Sequence, residues 1–225
     1  MKLNGKCVLV RDIMKQHRIH LTKQQRQYLV LKRFADVLIS LLALIILLIP
    51  MFVVAILQKV SSPSEPVFFR QMRVGQNGHI FFIIKFRTMK SSAPKYSSTG
   101  DLQDAEKYIS KLGRFLRDTS VDELPQLFNV IKGDMSLIGP RPLIRHERDI
   151  NFMRKFYGVD QLKPGITGWA QVNGRDLLDD CQKTYFDREY LQNIGLIMDI
   201  KVFWLSVLKV LGRMDIQEGK SASKK

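Results

Sequence analysis

Between Val37 and Leu57 the chain carries no charge at all: VLISLLALIILLIPMFVVAIL. At 1.5 Å per residue a helix of this length extends about 31 Å, enough to cross a hydrocarbon core. The run is too long and too pure for a helix buried in a soluble core. No cleavage site of small residues follows it, so a removed signal peptide is not expected. Two features argue against a simple span. Pro50 sits inside the run, where it removes a helix hydrogen bond and clashes with the preceding turn. Lys32 and Arg33 stand before the run, and Lys59, Arg70 and Arg73 after it, so the positive-inside tendency asks both ends to stay cytoplasmic. A helix broken at Pro50 that enters one leaflet and returns meets both demands and is the preferred reading; a kinked span is the alternative.

Charge narrows the partners. Lys and Arg number 36 against 21 Asp and Glu, a formal net charge of +15. Such an excess asks for an anionic partner: nucleic acid, an acidic membrane surface or phosphorylated substrates. Cys7 and Cys181 are too few and too far apart for a disulfide framework or a zinc site, and read as free thiols in a reducing compartment.

The remaining segments fit one moderate domain with appendages. Residues 1–31 form a basic leader and 215–225 a basic tail. After the linker Ser61–Pro66, the stretches Val67–Val74 and Ile80–Phe86 read as two strands, joined through Gly75-Gln76-Asn77-Gly78 as a hairpin. Ser91–Gly100 is a polar loop, and helices are predicted over Asp104–Leu116 and Leu143–Tyr157. Pro164–Arg175 is a glycine-punctuated turn region, either lining a cleft or placing Trp169 in the core. Ile194–Met214 reads as an amphipathic helix in the membrane interface, with a core helix as the alternative.

The stretch Leu116–Leu143, LRDTSVDELPQLFNVIKGDMSLIGPRPL, holds the densest chemistry. Ser120 to Glu123 reads as a capping box with Val121 opening a helix. Leu124, Leu127, Phe128 and Ile131 then form its buried face, with Asp122, Gln126 and Asn129 on a polar one. Arg117 precedes the Asp122-Glu123 pair, and Arg141 follows between two prolines that restrict its backbone. A carboxylate at a helix start flanked by guanidiniums suits phosphate chemistry. Taken alone, the acidic pair is better read as a helix cap, and Lys85 and Arg87 as an ordinary polar strand face.

Several motifs change that balance. KRFAD before the apolar run, PVFFRQMRVGQNG, KFRTM at Lys85–Met89, TSVDELPQLFNVIKGDMSLIGPRPL and PGITGWAQVNGR occur in one order. In these the chain resembles the bacterial sugar transferases known as monotopic phosphoglycosyl transferases. The resemblance implies an α/β fold: a small, mostly helical cytoplasmic domain with a short β-hairpin, anchored by a re-entrant membrane helix and interfacial amphipathic helices. The membrane helix would occupy 32–59 and the catalytic domain 60–214. It implies transfer of a sugar phosphate from a UDP-sugar to undecaprenyl or another polyprenyl phosphate, with release of UMP, at the cytoplasmic face of the bacterial cell membrane. This step begins capsule, exopolysaccharide, O-antigen or glycoprotein glycan synthesis. It implies Asp122 as nucleophile and Glu123 as its partner, both near Mg²⁺. Arg117 and Arg141 match phosphate-contacting arginines, and Lys85 and Arg87 lie in a family motif. Anionic lipids are expected partners and nucleic acid is not; the oligomeric state is open, a homodimer included. Small members carry Ser-Pro at the helix break, where this chain has Ile49-Pro50. The competing reading is a membrane-attached basic protein that binds by charge alone, which has no need of an acidic pair between arginines.

Overall fold

The computed structural model describes residues 18–93, 105–174 and 177–212. The leader to residue 17 with Cys7, most of the predicted polar loop (94–100), Asp104, Arg175 and the tail from 213 lie outside the described residues.

The apolar run belongs to one long helix, α1 (Lys23–Ser61). It starts within the stretch read as a leader because Thr22 and Gln25 make a capping box: Thr22 Oγ1 accepts from Gln25 N, and Gln25 Oε1 accepts from Thr22 N at 2.9 Å. Pro50 lies inside α1 and helix continues on both sides of it, so the break expected there is not a gap. What proline removes is the bond its missing N–H would make to Ile46. By length and composition α1 is able to cross a membrane. Its outer surface is bare: Leu38, Ile45, Ile46, Leu48, Ile49 and Phe52 are all exposed.

Both flanks of the run grip the same domain. On the N-terminal side Arg33 donates to the carbonyls of Val130 (2.6 Å) and Ile131 (3.0 Å). Asp36 accepts from Ser136 Oγ at 2.7 Å. On the other side Gln58 Nε2 donates to Arg87 O at 2.7 Å, while Met51 packs with Phe86 and Leu116.

The hairpin forms as the sequence predicts. β1 (Phe68–Val74) and β2 (Ile80–Phe86) pair antiparallel, with Phe69 opposite Lys85 and Arg73 opposite Phe81. Asn77 and Gly78 adopt positive φ (53° and 80°), which their residue types tolerate. A second sheet was not expected. β3 (Ser136–Ile138) and β4 (Gly165–Thr167) pair in parallel. They lie so close that a Cβ on Gly165 would stand 2.1 Å from Gly139 N. PGITG is thus a packing device: Trp169 is buried in the core, with Nε1 donating to Glu189 at 2.8 Å. The cleft-lining alternative for Trp169 falls away.

The helices correct several boundaries. In place of one helix over Asp104–Leu116 there is a 3-10 turn (Ala105–Tyr108), a bridge from Ile109 to Met89, and then α2 (Lys111–Asp118). Ser110 caps α2 by accepting from Gly113 N at 2.8 Å. α3 (Gln126–Lys132) starts after Pro125, and α4 (Arg148–Tyr157) starts five residues later than expected because Leu143 is engaged with Val74. Short α5 (Trp169–Val172), α6 (Asp180–Gln192) and α7 (Leu196–Gly212) follow. The main core gathers Ile138, Tyr157, Trp169, Tyr190, Leu191 and Val202 from β3 and α4 to α7. Phe203 and Trp204 of α7 are exposed, but Asp199 turns inward. It accepts from Lys32 Nζ (2.7 Å), Tyr28 OH (2.6 Å) and Tyr190 OH (2.5 Å), tying α7 to the start of α1.

Candidate active site

The acidic pair does not open a helix. Ser120 adopts a left-handed conformation (φ 55°) and caps nothing with its side chain; Val121–Glu123 is a single 3-10 turn, and α3 begins only at Gln126. A positive φ at a non-glycine residue is uncommon, and here it turns the chain sharply out of α2. Val121 and Leu124, on either side of the pair, pack against the Met51–Phe86–Leu116 cluster. The carboxylate turn therefore rests directly on the apolar helix α1.

The expected faces of α3 are partly exchanged. Leu127 is buried, but Phe128 is 47% exposed, while Gln126 and Asn129 are only 2% exposed. Asn129 explains why polar residues face inward. Its Oδ1 accepts from Ile84 N (3.0 Å) and its Nδ2 donates to Phe82 O (2.7 Å), so it completes the edge of β2. This fixes α3, and the turn before it, alongside Lys85.

Asp122 and Glu123 are each 8% exposed. Lys85 Nζ stands 2.6 Å from Glu123 Oε1, and Arg141 Nη1 stands 3.5 Å from the same oxygen. Burial pushes the Lys85 ammonium below the ordinary lysine value; Glu123 opposes that, Arg141 adds to it, and Asp122 opposes it again. The structure thus brings together Asp122, Glu123, Lys85 and Arg141. Arg117, in the last turn of α2, bonds Thr88 Oγ1 through its Nε at 2.9 Å. Arg87 is placed apart from the acidic pair: its Nε donates to Pro66 O (3.0 Å), and its guanidinium lies over the Phe69 ring. It lines a small cavity with Gln58, Glu65, Thr88 and Lys90 at the end of α1.

Arg73, a basic flank of the apolar run in the sequence, is a further cation beside Arg141. It is held by neutral partners, with Nη1 donating to Pro142 O (3.2 Å) and Nη2 to Gln71 Oε1 (2.6 Å). Burial pushes it down to about 10, and Arg141 adds to the effect against Glu147 and Glu123. In β1 Phe68, Arg70 and Met72 are exposed while Phe69, Gln71 and Arg73 are half-buried, so alternation, which sets Phe68, Met72 and Val74 on one face, does not reveal from the sequence that Arg73 turns inward.

Lys85 and Arg141 face the acidic pair, and Arg73 lies near enough to Arg141 and Glu123 to feel their charge, a cluster that suits a ligand bringing its own negative charge. Among the described residues no cluster of three His, Cys, Asp or Glu side chains is present. A cage made wholly of protein ligands is therefore not what these residues offer. Two adjacent carboxylates do fit Mg²⁺, which commonly takes one or two and completes its shell with water and substrate phosphates.

Several known proteins are similar to this chain. A Bacillus subtilis protein named as the uncharacterized sugar transferase EpsL is 40% identical over 192 residues, covering 84% of this chain and 92% of that one. The UDP-glucose:undecaprenyl-phosphate glucose-1-phosphate transferase of Xanthomonas campestris is 38% identical over 83% of this chain, which spans only 40% of that relative's length. The exopolysaccharide production protein ExoY of Sinorhizobium fredii is 35% identical over 78% of this chain and 83% of its own. The family described as bacterial sugar transferase matches residues 27–213. That match takes in α1, the hairpin, the acidic turn and the packed helices alike, and the chain belongs to the bacterial sugar transferase family.

Proposed function

We propose that this chain transfers a sugar 1-phosphate from a UDP-sugar to undecaprenyl or a related polyprenyl phosphate, with release of UMP. The observation that carries the reading is the buried Asp122-Glu123 turn, seated on the apolar helix and facing Lys85 and Arg141. The names of the relatives support it: UDP-glucose and undecaprenyl phosphate appear in that of the Xanthomonas protein, and exopolysaccharide production in ExoY.

An Asp122 oxygen attacks the sugar-bearing phosphorus, the bond from that phosphorus to the bridging oxygen breaks, and UMP leaves. An oxygen of the lipid phosphate then attacks the same phosphorus and restores the carboxylate. Dividing the reaction into two displacements means that the donor pyrophosphate and the lipid phosphate never occupy the site together, and the surrounding cations screen charge in each step. Lys85 holds Glu123, and Arg141 and Arg117 supply charged donors for the pyrophosphate oxygens. Arg87, beside its own cavity, would meet a more distant part of a substrate. Asp122 and Glu123 carry the oxygens that would hold Mg²⁺, whose charge would neutralise part of the pyrophosphate. Mixing detergent-solubilised protein with a panel of UDP-sugars and undecaprenyl phosphate should release UMP with at least one sugar. Release of UDP instead, or no release with any donor, overturns the reading.

Membrane attachment through a re-entrant α1 is part of the proposal. Asp36 and Gln58 flank the run and both touch the same domain, which supports placing both ends of the run on one side of the membrane. An impermeant thiol reagent should then label neither Cys7 nor Cys181 in intact cells, and Cys181, which is partly exposed, after lysis. Labelling of Cys7 alone in intact cells would show a span.

The lowered affinity of Lys85 for its proton predicts a pH effect. Its charge is lost at lower pH than that of an ordinary lysine at 10.5, so turnover should fall along an alkaline limb with its midpoint below that value. Lys85→Arg should move the limb upward, because a guanidinium keeps its proton. An unmoved limb assigns it to another group.

A further inference from the structure

The segment Pro140-Arg141-Pro142 has one backbone N–H among three residues, because proline has none. Its carbonyls are therefore the main handles by which the fold can hold it. All are held, each from a different element. Gly165 N of β4 donates to Pro140 O at 2.9 Å, Arg154 Nη1 of α4 to Arg141 O at 2.7 Å, and Arg73 Nη1 of β1 to Pro142 O at 3.2 Å. Val74 N continues the series to Leu143 O at 2.9 Å.

Two of these donors are guanidiniums, and both are braced from behind. Arg154 is 9% exposed and gives Nε (2.9 Å) and Nη2 (2.5 Å) to a single oxygen of Asp187, itself 1% exposed on α6. Arg73 is steadied by Gln71. A buried ion pair between two helices needs no third partner for its own neutrality, yet Arg154 spends its remaining nitrogen on the Arg141 carbonyl. The fixed proline φ angles, and the restriction that Pro142 places on Arg141, complete the clamp.

We infer that Arg154, set by Asp187, and Arg73 are positioning residues that act through the backbone of Arg141, holding its guanidinium ready for the phosphate of the donor. The clamp lets Arg141 bind an anion without first ordering its own backbone. The inference rests on the proposed role of Arg141, and the experiment separates the two.

The full chain in detergent is assayed as Arg154→Lys, which keeps a cation beside Asp187 but loses the fork that spans both partners. The KM for UDP-sugar should rise more than kcat falls, with kcat/KM lower by roughly ten- to a hundredfold, the scale of a small misplacement. In an Arg141→Ala background the same substitution should change kcat/KM less than about twofold, since there is no guanidinium left to position. Arg73→Gln should follow the same pattern. If Arg154→Lys does not fold, the paired variant Arg154→Met with Asp187→Leu removes clamp and ion pair together without leaving a buried charge. A wild-type KM in that folded variant, or equal losses with and without Arg141, overturns the clamp. A wild-type KM in Arg141→Ala alone overturns instead the phosphate role of Arg141.

Discussion

Asp122→Asn is expected to fold like the parent and to lose turnover by at least about a thousandfold, the scale seen when a nucleophile is removed. Asparagine is nearly the same shape, so Val121 and Leu124 can keep their places against Met51, Phe86 and Leu116. It lacks the anionic oxygen needed to displace UMP. Glu123→Gln should behave differently. Glu123 is bonded by Lys85 at 2.6 Å and faces Arg141 at 3.5 Å, so its neutralisation loosens the cationic frame without removing the attacking group. That variant should be slow and still react with the donor. If Asp122→Asn turned over normally, Asp122 would not be the nucleophile.

The largest effect on stability is expected at Asp199. Removing its carboxylate by Asp199→Ala takes three bonds at once, from Lys32, Tyr28 and Tyr190, in a site where Asp199 is 6% exposed and Lys32 is 8% exposed. Breaking a buried ion pair by deleting one partner costs about 3–5 kcal/mol, because the other charge stays buried. Asp36, 3.7 Å from Lys32, leaves that ammonium one anionic neighbour and puts the loss toward the lower figure. For a domain of this size the thermal midpoint should fall by roughly 6–12 °C. Proteolysis should then find the junction of α1 and α7 first, since that network joins them. A midpoint within about 1 °C of the parent would contradict this account of the network.

Much of this was legible in the sequence, and the exceptions have physical causes. The hairpin was readable to within one residue, because Gly75-Gln76-Asn77-Gly78 marks a turn and both flanks are rich in strand formers. The faces of α3 were misread because the helical period was counted from Val121. Pro125 separates the acidic turn from the helix, and Asn129 is drawn inward by unpaired backbone groups of β2 that lie far off in sequence. The parallel pair β3–β4 is three residues per strand, too short to show a period, and the close approach of Gly139 to Gly165 and Gly168 joins distant parts of the chain that no local pattern links.

The candidate site divides the same way. Asp122, Glu123, Lys85 and Arg141 stood out through motifs, and the fold gathers them. Arg73, Arg154 and Asp187 did not stand out, because they address the backbone of Arg141 rather than the acidic pair. Arg73 lies 69 positions from the carbonyl it holds. Arg87, two residues from Lys85 and in the same motif, is turned to Pro66 and Phe69 instead, a difference that strand spacing alone could not reveal.

The covalent step can be tested before any lipid is added. Protein mixed with its UDP-sugar donor alone should release UMP up to, and not beyond, one equivalent per active site. Intact-mass and peptide mass spectrometry should then find a sugar-phosphate adduct on Asp122, lost on adding undecaprenyl phosphate and absent from Asp122→Asn. UMP release that waits for the lipid, or an adduct on any other residue, would contradict the mechanism.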